Sequence, residues 1–228
     1  MAVTNCWKTV LMVLPLLHIE EPKVNAGPFD NLNFEKGRFT GDFPTTDTTE
    51  RLIPSWTLTF DGEVQSFMGA GAGPAGTPGA WLADRRFDNN VIQGRFSLAL
   101  QPGFTSPSES RRFAHYGLSQ SGDIPLESQS LRFQGQYGVF DVRVNGVQTG
   151  LVDESHLDLW YAADIGQFAG QTVLLEFYTS EGSPELGSPP HIIDSIEFSP
   201  FPVVPEPSPW SIFLGGLVTF CCLRRRQK

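Results

Sequence analysis

Apolar and polar residues alternate with a period of two in five separate stretches of this chain. Trp56, Leu58 and Phe60 alternate with Thr57 and Thr59, and Phe96, Leu98 and Leu100 with Ser97 and Ala99. Leu131 and Phe133 flank Arg132; Phe140, Val142 and Val144 alternate with Asp141 and Arg143; Val173, Leu175 and Phe177 alternate with Leu174 and Glu176. A period of two sends successive side chains to opposite faces, so each stretch predicts a half-buried β-strand. Asn145-Gly146 follows Val144 directly and predicts a two-residue hairpin turn, with the partner strand beginning at Val147. Gly-, Pro- and Ser-rich loops are expected at 69–79, 101–110 and 181–190. Between the two ends nothing reads as a long helix. The expected fold is an antiparallel β-sandwich of two sheets, a jelly roll, over residues 27–199.

Composition agrees with strands and tight turns: the 228 residues include 18 Phe and 23 Gly. The formal net charge of −9 hides an asymmetry. Residues 27–204 hold one Lys and nine Arg against twelve Asp and ten Glu, a net −12. A body so acidic repels phosphates, which excludes nucleic acid as a partner and leaves cations, neutral sugars and proteins. The three cysteines, Cys6, Cys221 and Cys222, all lie outside that body, which therefore has neither a disulfide nor a thiol nucleophile.

The ends carry the strongest signals. Residues 9–17 (TVLMVLPLL) follow Lys8 as an apolar run of signal-peptide length, too short to span a bilayer, and Val24-Asn25-Ala26 offers small residues for cleavage after Ala26. At the other end Pro205-Glu206-Pro207 sits in a Pro-rich linker (200–209). An apolar run follows from Trp210 to Leu223, and then Arg224, Arg225 and Arg226. The run predicts a short helix, whose 14 residues rise about 21 Å against a hydrocarbon core of about 30 Å. Three arginines hold the C-terminus in the cytoplasm, and the leader puts the body outside, so both ends imply one orientation.

The Pro-Glu-Pro motif, hydrophobic helix and basic cluster resemble the PEP-CTERM sorting signal of Gram-negative bacteria. The resemblance covers about the last 25 residues and implies an exosortase-type processing enzyme as partner. It also implies passage through the inner membrane and residence in the cell envelope or at the extracellular surface. Pro205, Glu206 and Pro207 would be its recognition motif. The body carries a second resemblance. Asn31-Leu32-Asn33-Phe34-Glu35-Lys36-Gly37, then Ile53-Pro54-Ser55-Trp56, is similar to the opening of galactose-binding-like jelly rolls. Segments 130–133, 141–147, 164–173 and 194–198 continue the pattern in order. This resemblance implies a carbohydrate-binding-like fold.

Candidate chemistry follows. Asp194 has the parity of Ile196 and Phe198 and is expected to point inward, where a carboxylate is costly unless paired or metal-bound. In similar jelly rolls the first and last strands are neighbours, so Glu35 is expected beside it, and the two carboxylates with loop carbonyls would make a site for a structural Ca²⁺; the alternative is that Asp194 caps the strand end and accepts backbone or arginine hydrogen bonds. Asp153, Glu154, His156 and Asp158 read as a solvated acidic loop. Among the aromatics beside loops, Trp81 and Trp160 are the expected sugar platforms. Gly71-Ala72-Gly73-Pro74-Ala75-Gly76 has the spelling of a dinucleotide fingerprint, but its prolines block the helix such a site requires. No G-x-S-x-G or H-E-x-x-H motif is present. The expected function is an exported, non-catalytic protein associated with extracellular polysaccharide in adhesion or a matrix. The alternatives are an enzyme acting on surface glycans and a purely structural envelope protein.

Overall fold

The structure of the chain is a computed structural model describing residues 27–39, 45–71, 79–104, 113–138, 140–155, 159–179 and 189–203. The leader, the Pro-Glu-Pro motif, the hydrophobic run and Arg224, Arg225 and Arg226 lie outside these residues. Among the described residues no helix is long and apolar enough to cross a membrane.

Strands dominate. In chain order they are β1 (Thr45–Thr48), β2 (Thr57–Phe60), β3 (Glu63–Val64), β4 (Phe67–Gly71), β5 (Gly79–Asp84), β6 (Phe96–Gln101), β7 (Gly103–Phe104), β8 (Phe113–Ala114) and β9 (Tyr116–Asp123). There follow β10 (Ser130–Gln136), β11 (Phe140–Val144), β12 (Val147–Gln148), β13 (Leu151–Ser155), β14 (Trp160–Asp164), β15 (Thr172–Thr179) and β16 (His191–Ser199). One helical turn, α1 (Thr49–Leu52), and one 3-10 turn (Gly166–Phe168) interrupt them.

The strands form an eight-stranded sheet, ordered β1-β4-β5-β6-β16-β10-β14-β13, and a six-stranded sheet, ordered β12-β11-β15-β9-β2-β3. A short β7-β8 pair stands apart. The fold is all-β and sandwich-like. The expected antiparallel pairing holds for every ladder but one: β4 runs parallel to β5, with Gly69 opposite Trp81. The expected loop 69–79 is correspondingly narrower, because its first and last residues belong to these two strands.

The alternating apolar residues build one shared core. Leu58, Leu118, Val142, Leu175 and Phe177 from the smaller sheet meet Leu82, Leu98, Leu131, Phe133 and Ile193 from the larger. The Phe133 and Phe177 rings touch edge to face across the interface, 5.3 Å apart, a geometry that aromatic quadrupoles favour. The hairpin at Asn145-Gly146 forms as expected, both residues having positive φ (52° and 74°), and Val144 pairs with Val147. The turn type demands that conformation and Asn and Gly tolerate it best.

The opening motif closes one margin of the core. The Asn31 amide donates to the Pro54 carbonyl (3.3 Å), its carboxamide oxygen accepts the Lys36 N–H (3.0 Å), and its backbone carbonyl accepts the Trp56 indole N–H (3.0 Å). Phe34 is fully buried although its φ is +58°. Burying a Phe ring is worth about 2–3 kcal/mol, against about 1–2 kcal/mol for a left-handed non-glycine residue. The ring therefore dictates the backbone. Gly37 packs so closely that a Cβ would stand 2.5 Å from the Leu52 carbonyl oxygen. Gly37→Ala is expected to lower the unfolding free energy by about 2–3 kcal/mol in chemical denaturation. Gly150→Ala, whose Cβ would meet nothing within 4 Å, should change it by no more than about 0.5 kcal/mol.

Candidate functional site

The outer face of the eight-stranded sheet is divided. Over β5, β6 and β16 it is covered by residues 85–95, and a second small core forms beneath them from Trp81, Ala83, Ala99 and Ile192 with Val91 and Ile92. This is why β6 is buried on both faces, Ser97 and Ala99 as fully as Leu98. Over β10, β14 and β13 the outward-facing Arg132, Gln134, Glu154 and Trp160 are half-buried, and Ala162 is fully buried. A cleft of about 400 Å³ lies at the border between the two halves.

Four segments line it. The turn at 31–36 brings Asn33 and Glu35, the covering segment brings Gln93 and Gly94, β14 brings Trp160, and β16 brings Asp194, Ser195, Ile196 and Glu197. Each segment holds a left-handed residue in or next to the lining: Phe34 (φ 58°), Gly94 (61°), Leu159 (60°) and Ser195 (50°). Bulky residues rarely adopt this conformation, and such positions gather where surrounding packing forces a functional geometry.

Ser195 marks a β-bulge. Along β10 the partners Arg132 and Gln134 are two residues apart, whereas their partners Glu197 and Asp194 on β16 are three apart. The extra residue resets the side-chain alternation. Ile193, Ile196 and Phe198 face the main core, and Ile192 lies in the outer cluster. Asp194 therefore has the parity of Ile192 and faces the cleft side of the sheet. The inward direction expected from parity with Ile196 and Phe198 is corrected by this single insertion.

Asp194 is nonetheless 1% exposed, and both of its oxygens are bound. Its Oδ2 accepts from the Ser97 hydroxyl (2.7 Å) and the Gln93 N–H (3.1 Å), and its Oδ1 accepts from the Ser195 N–H (2.7 Å). Burial pushes its pKa up to about 6, against which these hydrogen bonds work; the nearby Glu35 charge adds to the rise. Glu35 Oε1 accepts the Arg95 N–H (2.7 Å) and the Phe96 N–H (3.1 Å). The two carboxylates thus fasten the covering segment at neighbouring points. A Cβ on Gly94 would overlap the Glu35 carboxylate, so glycine is needed there. The far end of the segment is fastened at Asp84, which is fully buried. Burial alone would raise its pKa, but the Arg86 side chain and N–H, with Arg95, outweigh it and hold the carboxyl below its usual range.

Glu35 and Asp194 do come together, beside one another on the cleft wall. As hard oxygen donors they suit a cation. Their documented partners are N–H and O–H groups, however, and among the described residues no three His, Cys, Asp or Glu side chains gather to hold a metal. The Trp pair separates cleanly. Trp160 stands half-buried on the cleft wall. Trp81 is 3% exposed in the outer cluster, with its indole N–H donating to Asp88 (3.1 Å), so its ring has no free face to serve as a platform. Covering residues 91 and 92, remote from it in sequence, are the reason. Asp153 and Glu154 belong to β13 rather than to a loop, and Glu154 pairs with Arg132 at 3.1 Å. His156 and Asp158 lie outside the described residues. Asn33, Gln93 and Glu197 are cleft residues that sequence reasoning missed, because the bulge in β16 that arranges this wall leaves no mark in the apolar pattern.

No protein-family model, curated protein or solved structure matches this chain.

Asp194 makes stability depend on pH with a definite sign. Its folded pKa of about 6 exceeds its ordinary 3.8, so its contribution is fully present below pH 3.8 and is lost as pH rises through about 6. Between those limits Asp194→Asn should remove a fall on the order of 3 kcal/mol relative to the parent, read from denaturation midpoints across the range. Ca²⁺ bound at the carboxylate would lower the folded pKa, so a calcium-dependent reversal of that slope would mark a metal site. An unchanged slope in saturating Ca²⁺ would count against one.

Proposed function

We propose that this chain is an exported, envelope-sorted, non-catalytic protein whose sandwich binds glycan through the cleft beside Trp160. One observation carries the reading. A half-buried indole on the cleft wall stands next to amide, hydroxyl and carboxylate groups from three other segments. A flat apolar wall with a few convergent polar groups is what a sugar ring requires. The jelly-roll reading has support from the placing of the opening turn against the last strand, where the Ile196 N–H donates to the Leu32 carbonyl (3.0 Å). The non-catalytic reading has support from Asp194, whose oxygens accept three hydrogen bonds from Ser97, Gln93 and Ser195. A carboxylate so occupied positions its neighbours and has little freedom to shuttle protons.

The location rests on the two ends of the sequence. The signal-peptide core and the Pro205-Glu206-Pro207, helix and Arg224–Arg226 series suit an exported body, sorted by an exosortase-type enzyme at the inner membrane and released to an extracellular polysaccharide matrix. Tail removal would leave adhesion to glycan as the means of retention.

Two measurements test this. On a glycan array Trp160→Ala should lose about tenfold or more in affinity for whatever glycan the parent binds. Trp81→Ala should lower thermal stability and leave the surviving folded fraction binding normally. A parent protein that captures no glycan would sink the binding reading. Intact mass of the protein recovered from the cell surface should lack both the residues up to Ala26 and the arginine cluster; retention of the cluster would make the tail a plain anchor.

A further inference from the structure

The cleft has a charge as well as a shape. Among the described residues its titratable lining is Glu35, Asp194 and Glu197, with no Lys or Arg. The basic residue across the ladder from Glu197 is Arg132, which is drawn away to Glu154 on β13. Arg95, next to the cleft in sequence, turns its guanidinium to Asp84 (3.2 Å) and lies over the Phe96 ring. Both of these basic side chains are therefore committed elsewhere. Residues 27–204, these three carboxylates included, carry a net −12, and a recess walled by protein concentrates such a field. The remaining wall is the Trp160 indole, whose negative face attracts a cation as readily as a sugar C–H.

We propose that the cleft selects amino sugars with a free amine, the sugar ring lying on Trp160 and its ammonium held by Glu35 and Glu197. This deepens the glycan-binding reading and rests on it. A neutral N-acetylated sugar offers the same ring to Trp160 but no charge, and a hexuronate brings a charge of the wrong sign. Selection by charge thus separates three glycan classes of similar size and shape.

The test is calorimetric titration of the full-length chain in mild detergent at about pH 6 with EDTA present, so that the glucosamine amines are mostly protonated and no metal bridges the carboxylates. The probes are a fully deacetylated glucosamine tetramer, its N-acetylated counterpart and a hexuronate tetramer. The glucosamine tetramer is expected to bind at least about tenfold more tightly than the N-acetylated one, with the hexuronate weakest. Glu35→Gln keeps an oxygen for the Arg95 and Phe96 N–H groups, and Glu197 is exposed. Both changes to Gln should therefore retain the fold, checked by an unchanged melting temperature, while reducing the preference to less than about threefold. Glu63→Gln, on the edge strand of the other sheet, should leave it intact. Equal binding of the glucosamine and N-acetylated tetramers, or tightest binding of the hexuronate, would overturn the charge selection while sparing the glycan reading. Failure of all three to bind, with no capture on the array, would remove both.

Discussion

A buried carboxylate that is bound on every side sets the shape of the cleft on the outer face of the larger sheet. Asp194 receives hydrogen bonds from the chain in front of it, from a neighbouring strand and from a segment about a hundred residues away. An ionised group with almost no exposure survives only if such donors replace its water. Satisfying Asp194 therefore requires the Ser195 bulge, the Ser97 hydroxyl and the Gln93 N–H to meet at one point. The bulge turns Asp194 toward the outer face, Ser97 is buried on that face to reach it, and Gln93 is brought down with the whole covering segment. Once that segment is fixed, the cleft has a wall.

The same segment is tied from the opposite direction by the N-terminal turn. Phe34 drives into the main core, and Glu35, its neighbour, is thereby pointed at the N–H groups of Arg95 and Phe96. The core thus positions the cleft through adjacent residues with different tasks: one is apolar and buried, the next is charged and exposed. The outer cluster under Val91 and Ile92 adds an apolar contribution to hold the segment down. Geometry at the cleft depends on packing in two cores, which is why its strained residues can persist.

The regular part of this arrangement was legible in the sequence. Period-two alternation located the inner faces of β2, β6, β10, β11 and β15, because one buried face is all that such a pattern encodes. The Asn145-Gly146 hairpin was legible for a local reason, since only a few residues accept positive φ twice in succession. What escaped was whatever depends on a third partner. The bulge reverses the facing of Asp194 without leaving a mark in the apolar pattern, as Ser195 is an ordinary residue by composition. The parallel β4-β5 pairing is decided by chain connection, which alternation does not carry. The two tryptophans looked equivalent because both stand on strands near loops, and what divides them is a lid formed by residues 85–95 over one and not over the other.

That division of the outer face says why the cleft lies where it does. A sheet with one face in the core must cover or solvate its other face. Here the half nearer β5 is covered by residues 85–95, and the half nearer β13 carries polar and charged side chains such as the half-buried Arg132 and Gln134 and the exposed Glu197. At the boundary a covering segment must end, and its backbone N–H groups need acceptors there. Glu35 and Asp194 supply them, at positions where water can still reach the wall. A cleft rich in carboxylates is thus a structural consequence of terminating a lid halfway across a sheet. Trp160, first residue of β14, adds a half-buried indole to that wall.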